Sequence, residues 1–155
     1  MKNTPSKTLS VSAIKDGTVI DHVASGRALQ IIRVLNLSAN NQTVTVGLNL
    51  PSRAMGHKDL IKVEGLELSA DEANRVAILA PEATMNIIKN YEVVKKFPVT
   101  IPEIIERLIA CPNPACITNN EPMPTKFFVL NQKKKLQLSC AYCEKKFEQS
   151  EIKIN

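Results

Sequence analysis

Four cysteines, all between Cys111 and Cys143, constrain this chain more than any other feature. They come as two pairs, CPNPAC (Cys111 and Cys116) and CAYC (Cys140 and Cys143). A short turn lets two thiolates point at one centre, and a second such turn closes a tetrahedron. That is the ligand set of a d10 zinc ion held by four sulfurs with no open position, so the expected Zn2+ is structural, one per chain, and not catalytic. Pro112 and Pro114 stiffen the first turn, and both histidines, His22 and His57, lie far upstream. Two disulfides are the rival arrangement. No secretory leader is read at the N-terminus, so an oxidising compartment is not indicated and a cytoplasmic location is expected. A redox dithiol at CAYC leaves the first pair unexplained.

A length of 155 residues suits one ordinary domain or two small ones, and a hydrophobic fraction of 44% supports a real core. No apolar run is long enough to span a membrane. The formal charge of +5 looks like a nucleic-acid signal until the metal is counted. Residues 101–155 carry eight Lys or Arg against six Asp or Glu. Four thiolates and one divalent ion bring that half to about zero, a poor footprint for a nucleic-acid module. A zinc-ribbon nucleic-acid binder nevertheless shares the four-cysteine unit and stays as the alternative.

Leu9 to Ile14 and Thr18 to Val23 read as two strands joined through Lys15-Asp16-Gly17, a hairpin. Ser25 is placed to cap a helix running to about Asn36, with Arg27, Gln30, Arg33 and Asn36 as its narrow polar stripe. Val44, Val46, Leu48 and Leu50 alternate with polar or small residues until Pro51, which is expected to end that strand. The loop SRAMGHKD precedes a strand LIKV, and Ser69 with Glu72 forms a capping box before a second helix stopped by Pro81. TMNIIKNYEVVKKF supplies the last strands. The pattern predicts an α+β fold, a ferredoxin-like antiparallel sheet with two helices, followed by a small β-rich zinc domain. Pro98 and Pro102 mark the junction, giving units 1–100 and 101–155. Thr100 and Glu103 read as a capping box for a helix carrying Ile104, Ile105, Leu108 and Ile109 into Cys111. FFVL, LQLS and EIKI read as short strands around the metal, with Lys133 to Lys135 at a hairpin tip and one of Phe127 and Phe128 in the core.

Catalytic patterns are missing: no Gly-rich phosphate loop, no Ser-His-Asp arrangement and no evident carboxylate pair. Alternation along the strand sends Asp21 and His22 to opposite faces, so they are not expected to form a dyad. Lys58, Lys62 and Lys96 stand out as cations at strand ends.

Five blocks then carry a resemblance: IKDGTVIDHV, VGLNLPSRAMGHKDLIKVE, NIIKNYEVVKK, CPNPAC and CAYCEKKF. In order, from about Leu9 to the C-terminus, they resemble the regulatory chain of aspartate carbamoyltransferase. The resemblance implies a non-catalytic chain of pyrimidine biosynthesis. Residues 1–100 would bind nucleotide effectors such as CTP, UTP and ATP. Residues 101–155 would dock on catalytic chains, with regulatory chains pairing as homodimers and neither a membrane nor a nucleic-acid polymer as partner. It implies that Val11, Ala13, Ile14 and Val19 line the base side of the effector pocket. Asp21 would accept from ribose hydroxyls and His22 neighbour the phosphates. Lys62, Asn86, Ile88, Tyr91, Val93 and Lys96 complete the pocket, and Lys58 could reach a second nucleotide's phosphates. Asn113 and Glu144 are implied at the partner interface, while Ala115 departs from the polar residue that family members can carry there.

Overall fold

A computed structural model describes residues 13–39, 41–131 and 136–154. The chain divides into two compact units, Met1–Thr100 and Ile101–Asn155.

The first unit is organised around β1 (Gly17–Ala24), the middle strand of an antiparallel sheet. The other strands are β2 (Val44–Ser52), β3 (Gly56–Glu64), β4 (Thr84–Lys89) and β5 (Glu92–Pro98). Helix α1 (Ala28–Val34) follows β1, and α2 (Ala70–Leu79) follows β3. The lateral order β2-β3-β1-β4-β5 makes the first six elements a ferredoxin-like βαββαβ unit, to which β5 adds a hairpin strand. Residues directly opposite in a ladder share a face. Ile20 of β1 stands opposite Ile61 of β3 and Met85 of β4, and all three are fully buried. Thr18 stands opposite Val63 and Ile87 on the same face. Its hydroxyl donates to Leu66 O at 2.6 Å and accepts from Leu68 N, so a buried polar group ties β1 to the approach to α2. Ala28 and Ile31 of α1 and Ala73, Val76 and Ala77 of α2 complete this core. The Ser69–Glu72 capping box starts α2 as expected.

Several local expectations are corrected. Ala13 to Asp16 form no strand, so the described part of the first hairpin is absent; Leu9 to Ser12 lie outside the described residues. Ser25 caps nothing: α1 begins three residues later with Arg27 as its uncapped N-cap, and the Ser25 hydroxyl bonds Asn49 Oδ1 instead. Pro51 does not end β2, because β2 is an edge strand whose outer side needs no N–H; pairing continues to Ser52 opposite Gly56. The loop written SRAMGHKD therefore shrinks to a tight turn, and β3 starts at Gly56, four residues before LIKV.

In the second unit, β6 (Ile104–Glu106), β8 (Lys126–Asn131), β9 (Gln137–Cys140) and β10 (Lys146–Glu148) form a sheet of order β10-β9-β8-β6. A second, two-stranded ladder pairs β7 (Ile109–Ala110) with β11 (Lys153–Ile154). One short helix, α3 (Ile117–Asn120), follows Cys116. Phe127 is 1% exposed and meets Phe147 edge-on at 6.5 Å between ring centroids, whereas Phe128 is 40% exposed. The helix expected between Pro98 and Ala110 does not form. Ile104 and Ile105 pair with Phe128 and Phe127, and the Glu103 carbonyl accepts from Val129 N rather than starting a helical turn. β-Branched residues beside an open strand edge gain more from that ladder than from a helix of ten residues. Lys133 to Lys135 lie outside the described residues. No helix among the described residues is long and apolar enough to cross a membrane.

Candidate functional site

The two knuckles bring all four cysteine Sγ atoms within 4.8 Å of one another. Cys111 and Cys143 sulfurs are 3.7 Å apart, and those of Cys116 and Cys140 are 3.8 Å apart. Sulfurs arranged tetrahedrally at 2.3 Å from one ion stand about 3.8 Å from each other, whereas a disulfide brings them to about 2 Å. The cysteines are free thiols at the spacing of a shared ion. Backbone hydrogen bonds converge on the sulfurs: Asn113 on Cys111, Thr118 on Cys116, Tyr142 and Cys143 on Cys140, and Lys145 on Cys143. Burial pushes the Cys111 and Cys140 thiols up. Burial opposes ionisation of Cys143 too, but the Lys145 backbone and the Asn113 side chain outweigh it and hold Cys143 at about 7. Cys116 is likewise lowered against its burial, by the Thr118 hydroxyl and backbone. Such donors prepare sulfur for a metal, which must take the thiolate form.

The second constellation lies on the sheet face opposite the core. Lys62 of β3, Val19 of β1, Asn86 of β4 and Lys96 of β5 stand opposite one another in turn, forming one lateral row across four strands. Asp21 and Thr84 form the neighbouring pair, and Ile88 with Val93 the pair beyond. The register shift after Ile87 is what restores Val93 and Lys96 to one face despite their odd spacing. Lys58, two pleats from Lys62, shares the face, and its Nζ lies 2.8 Å from Asp21 Oδ1. Burial works to raise the Asp21 pKa, yet the Lys58 ammonium and the His22 N–H hold the carboxyl below its usual value. Lys62, 8% exposed, is lowered by burial, with Asp21 working against the shift. Asn86 is also buried and donates to Val19 O at 3.3 Å.

Asp21 and His22 do not point apart, contrary to strand alternation. The ladder between β1 and β3 shifts between Ile20 and Val23, and His22 adopts the left-handed conformation at φ 56°. The His22 N–H donates to Asp21 Oδ1 at 2.7 Å, and its Nδ1 lies 3.9 Å from Asp21 Oδ2. A bulge breaks the period of two that the sequence argument relied on. Ile14 is buried and Ala13 exposed just before β1, and Val11 lies outside the described residues. Tyr91 is exposed in the β4–β5 turn, where its N–H donates to Lys15 O.

Sequence reasoning passed over Asp59. It is fully buried and accepts from the N–H groups of Gly26 (2.9 Å), Ala28 (3.2 Å) and Asn49 (3.0 Å), fixing the start of α1 and the irregular part of β2 next to Lys58. Its signal was an acid in phase with Ile61 and Val63, on the core face of β3. Asn119, Asn120 and Thr118 were passed over as well, and no spacing marks them.

A ferredoxin-like sheet with a cationic row on its outer face and a separate four-cysteine unit suits a protein that binds ligands and partners. Two family models match it: the allosteric domain of the aspartate carbamoyltransferase regulatory chain over residues 9–100, and the metal binding domain of that chain over residues 103–153. The regulatory chain of Pyrococcus horikoshii is 50% identical over 149 residues, covering 95% of this chain and 97% of the relative. That of Pyrococcus abyssi is 48% identical over the same shares, and that of Vibrio campbellii 46% over 139 residues, covering 90% and 91%. The chain belongs to the aspartate carbamoyltransferase regulatory chain family, whose members are regulatory and not catalytic subunits.

Proposed function

We propose that the first unit binds the nucleotide effectors CTP, UTP and ATP and that the second, holding one structural Zn2+, docks on catalytic chains of aspartate carbamoyltransferase. Effector occupancy thereby controls pyrimidine biosynthesis. The observation that supports this most is the single row Lys62–Val19–Asn86–Lys96, flanked along one side by Asp21, His22 and Lys58. A triphosphate needs several cations, and ammonium groups serve it as point charges. Lys62, Lys96 and His22 take the phosphates, Asp21 accepts from the ribose, and Asn86 offers an amide toward the base. Val11, Ala13, Ile14, Val19, Ile88, Tyr91 and Val93 form the apolar side, and Lys58 reaches the phosphates of a second nucleotide.

For the metal, the sulfur spacing supports zinc, since four thiolates with no further ligand suit a tetrahedral d10 ion. Ile117 and Tyr142, exposed apolar residues beside the knuckles, join Asn113 and Glu144 on the face offered to the catalytic chain. Regulatory chains pair as homodimers in the cytoplasm. The pocket is tested by calorimetry: Lys96→Ala weakens CTP binding by about 1.5–3 kcal/mol, the scale of a hydrogen bond to a charged group, and leaves cytidine binding far less affected. Equal losses for nucleotide and nucleoside move Lys96 out of the site. Assembly is tested by mixing the chain with catalytic trimers and measuring substrate saturation with and without each nucleotide.

A further inference from the structure

The first knuckle spans Cys111 to Cys116 with four intervening residues, twice the spacing of the second. A longer turn has more carbonyls to satisfy and more ways to open. Here two consecutive carboxamides occupy those carbonyls. Asn119 Nδ2 donates to Cys111 O at 2.8 Å and to Asn113 O at 2.7 Å. Asn120 Nδ2 donates to Cys116 O at 2.9 Å and to Pro114 O at 3.3 Å. Each side chain spends both of its amide hydrogens on the knuckle. Together they bridge its first and last residues and two of the four between. The same short segment supplies Thr118, whose hydroxyl lies 3.2 Å from the Cys116 sulfur. The second knuckle, CAYC, is the shorter turn and carries Cys143, the least buried of the four cysteines.

We infer that Asn119 and Asn120 are positioning residues for the metal, locking Cys111 and Cys116 so that the ion is released by opening of the second knuckle first. The inference rests on the metal reading of the cysteine cluster but not on the nucleotide site. Residues outside the ligand shell that fix ligand orientation typically change metal retention by tenfold or more when removed.

The test uses the full chain loaded with Zn2+ and treated with N-ethylmaleimide and a chromogenic chelator. Mass spectrometry reads which cysteine is modified first, and absorbance reads metal transfer. In the unaltered chain Cys143, which is less buried than the other three, is modified first. Asn119→Ala and Asn120→Ala each speed metal transfer about tenfold and move the first modification to Cys111 or Cys116. Phe147→Leu, which loosens the core away from the first knuckle, speeds transfer only through general unfolding and modifies all four cysteines together. The inference is overturned if both asparagine variants keep Cys143 first with transfer within twofold of the unaltered chain. It is equally overturned if both behave as Phe147→Leu does. A chain that never retains Zn2+ when prepared reduced rejects the metal reading itself, which separates the two failures.

Discussion

Asp21 is the residue on which the charges of the sheet face converge, and its protonation is legible in stability. Its folded pKa lies below the ordinary 3.8, so it contributes stability that is present above that value and lost as pH falls through the folded pKa. Lys58→Ala removes the main opposing partner while burial remains, so the Asp21 pKa should rise, and the stability this carboxylate loses on acidification should shrink. Carboxyl chemical shifts followed from pH 2 to 7 check this; an unmoved Asp21 titration refutes the pairing. The pair is about one-fifth exposed on each side, so its net worth is on the order of 1 kcal/mol or less. Lys62 runs the other way. Its folded pKa is lowered from 10.5, so the folded chain gains stability as pH rises toward 10.5, and a bound phosphate would reverse the shift by favouring the ammonium. Nucleotide binding should therefore take up protons in alkaline buffer, which calorimetry in buffers of different ionisation enthalpy reads directly. The cations were legible as residue types. Their assembly was not, because it depends on two strand bulges, one after Ile20 and one after Ile87, that a period of two does not foresee.

At the scale of elements, sequence signals held where local chemistry closes on itself and failed where a neighbour decides. The Ser69–Glu72 box is complete within four residues, and it formed. Ser69→Ala should cost about 1 kcal/mol, measured as a shift in the urea midpoint at unchanged slope. Thr100 and Glu103 offered the same pattern, yet the partner strand Phe127–Phe128 took that segment into a ladder. No local rule contains β8. Ser25 likewise gave way because the buried carboxylate of Asp59, from a distant strand, already satisfies the N–H groups at the start of α1. Gly17 is the opposite case, a position fixed by its neighbours on both sides. It pairs with Glu64 and with Ile88, has φ 144°, and a Cβ there would sit 2.1 Å from Val63 O. Both obstacles are backbone, so no rotamer relieves them. Gly17→Ala should cost about 3 kcal/mol or more, and a loss under 1 kcal/mol in urea unfolding would show that β1 can shift against β3.

At the scale of the whole molecule, the two units differ in what holds them. Residues 1–100 bury a continuous core along β1, β3, β4 and both helices. Residues 101–155 bury Ile101, Ile105, Ile109, Phe127, Leu136, Leu138 and Phe147, a short roster for four sheet strands and a two-stranded ladder. A unit near 50 residues is marginal on apolar burial alone. Four thiolates binding one ion can supply on the order of 10 kcal/mol, more than the net stability of most domains that size. The cysteine spacing pointed to a metal site before any strand was placed, since the ligands themselves carry the pattern. Metal removal should therefore unfold one unit and spare the other. With chelator and reductant present, amides of β6, β8, β9 and β10 should exchange hydrogen at the rate of an unfolded chain. Amides of Ile20, Ile61 and Met85 should keep their protection. Cys111→Ala should give the same split without chelator, because three sulfurs leave the ion a coordination position open to water and exchange. Re-addition of Zn2+ should restore protection to the unaltered chain but not to the variant. Retained protection in β8 and β9 of the metal-free chain would falsify the claim that the ion is part of that fold.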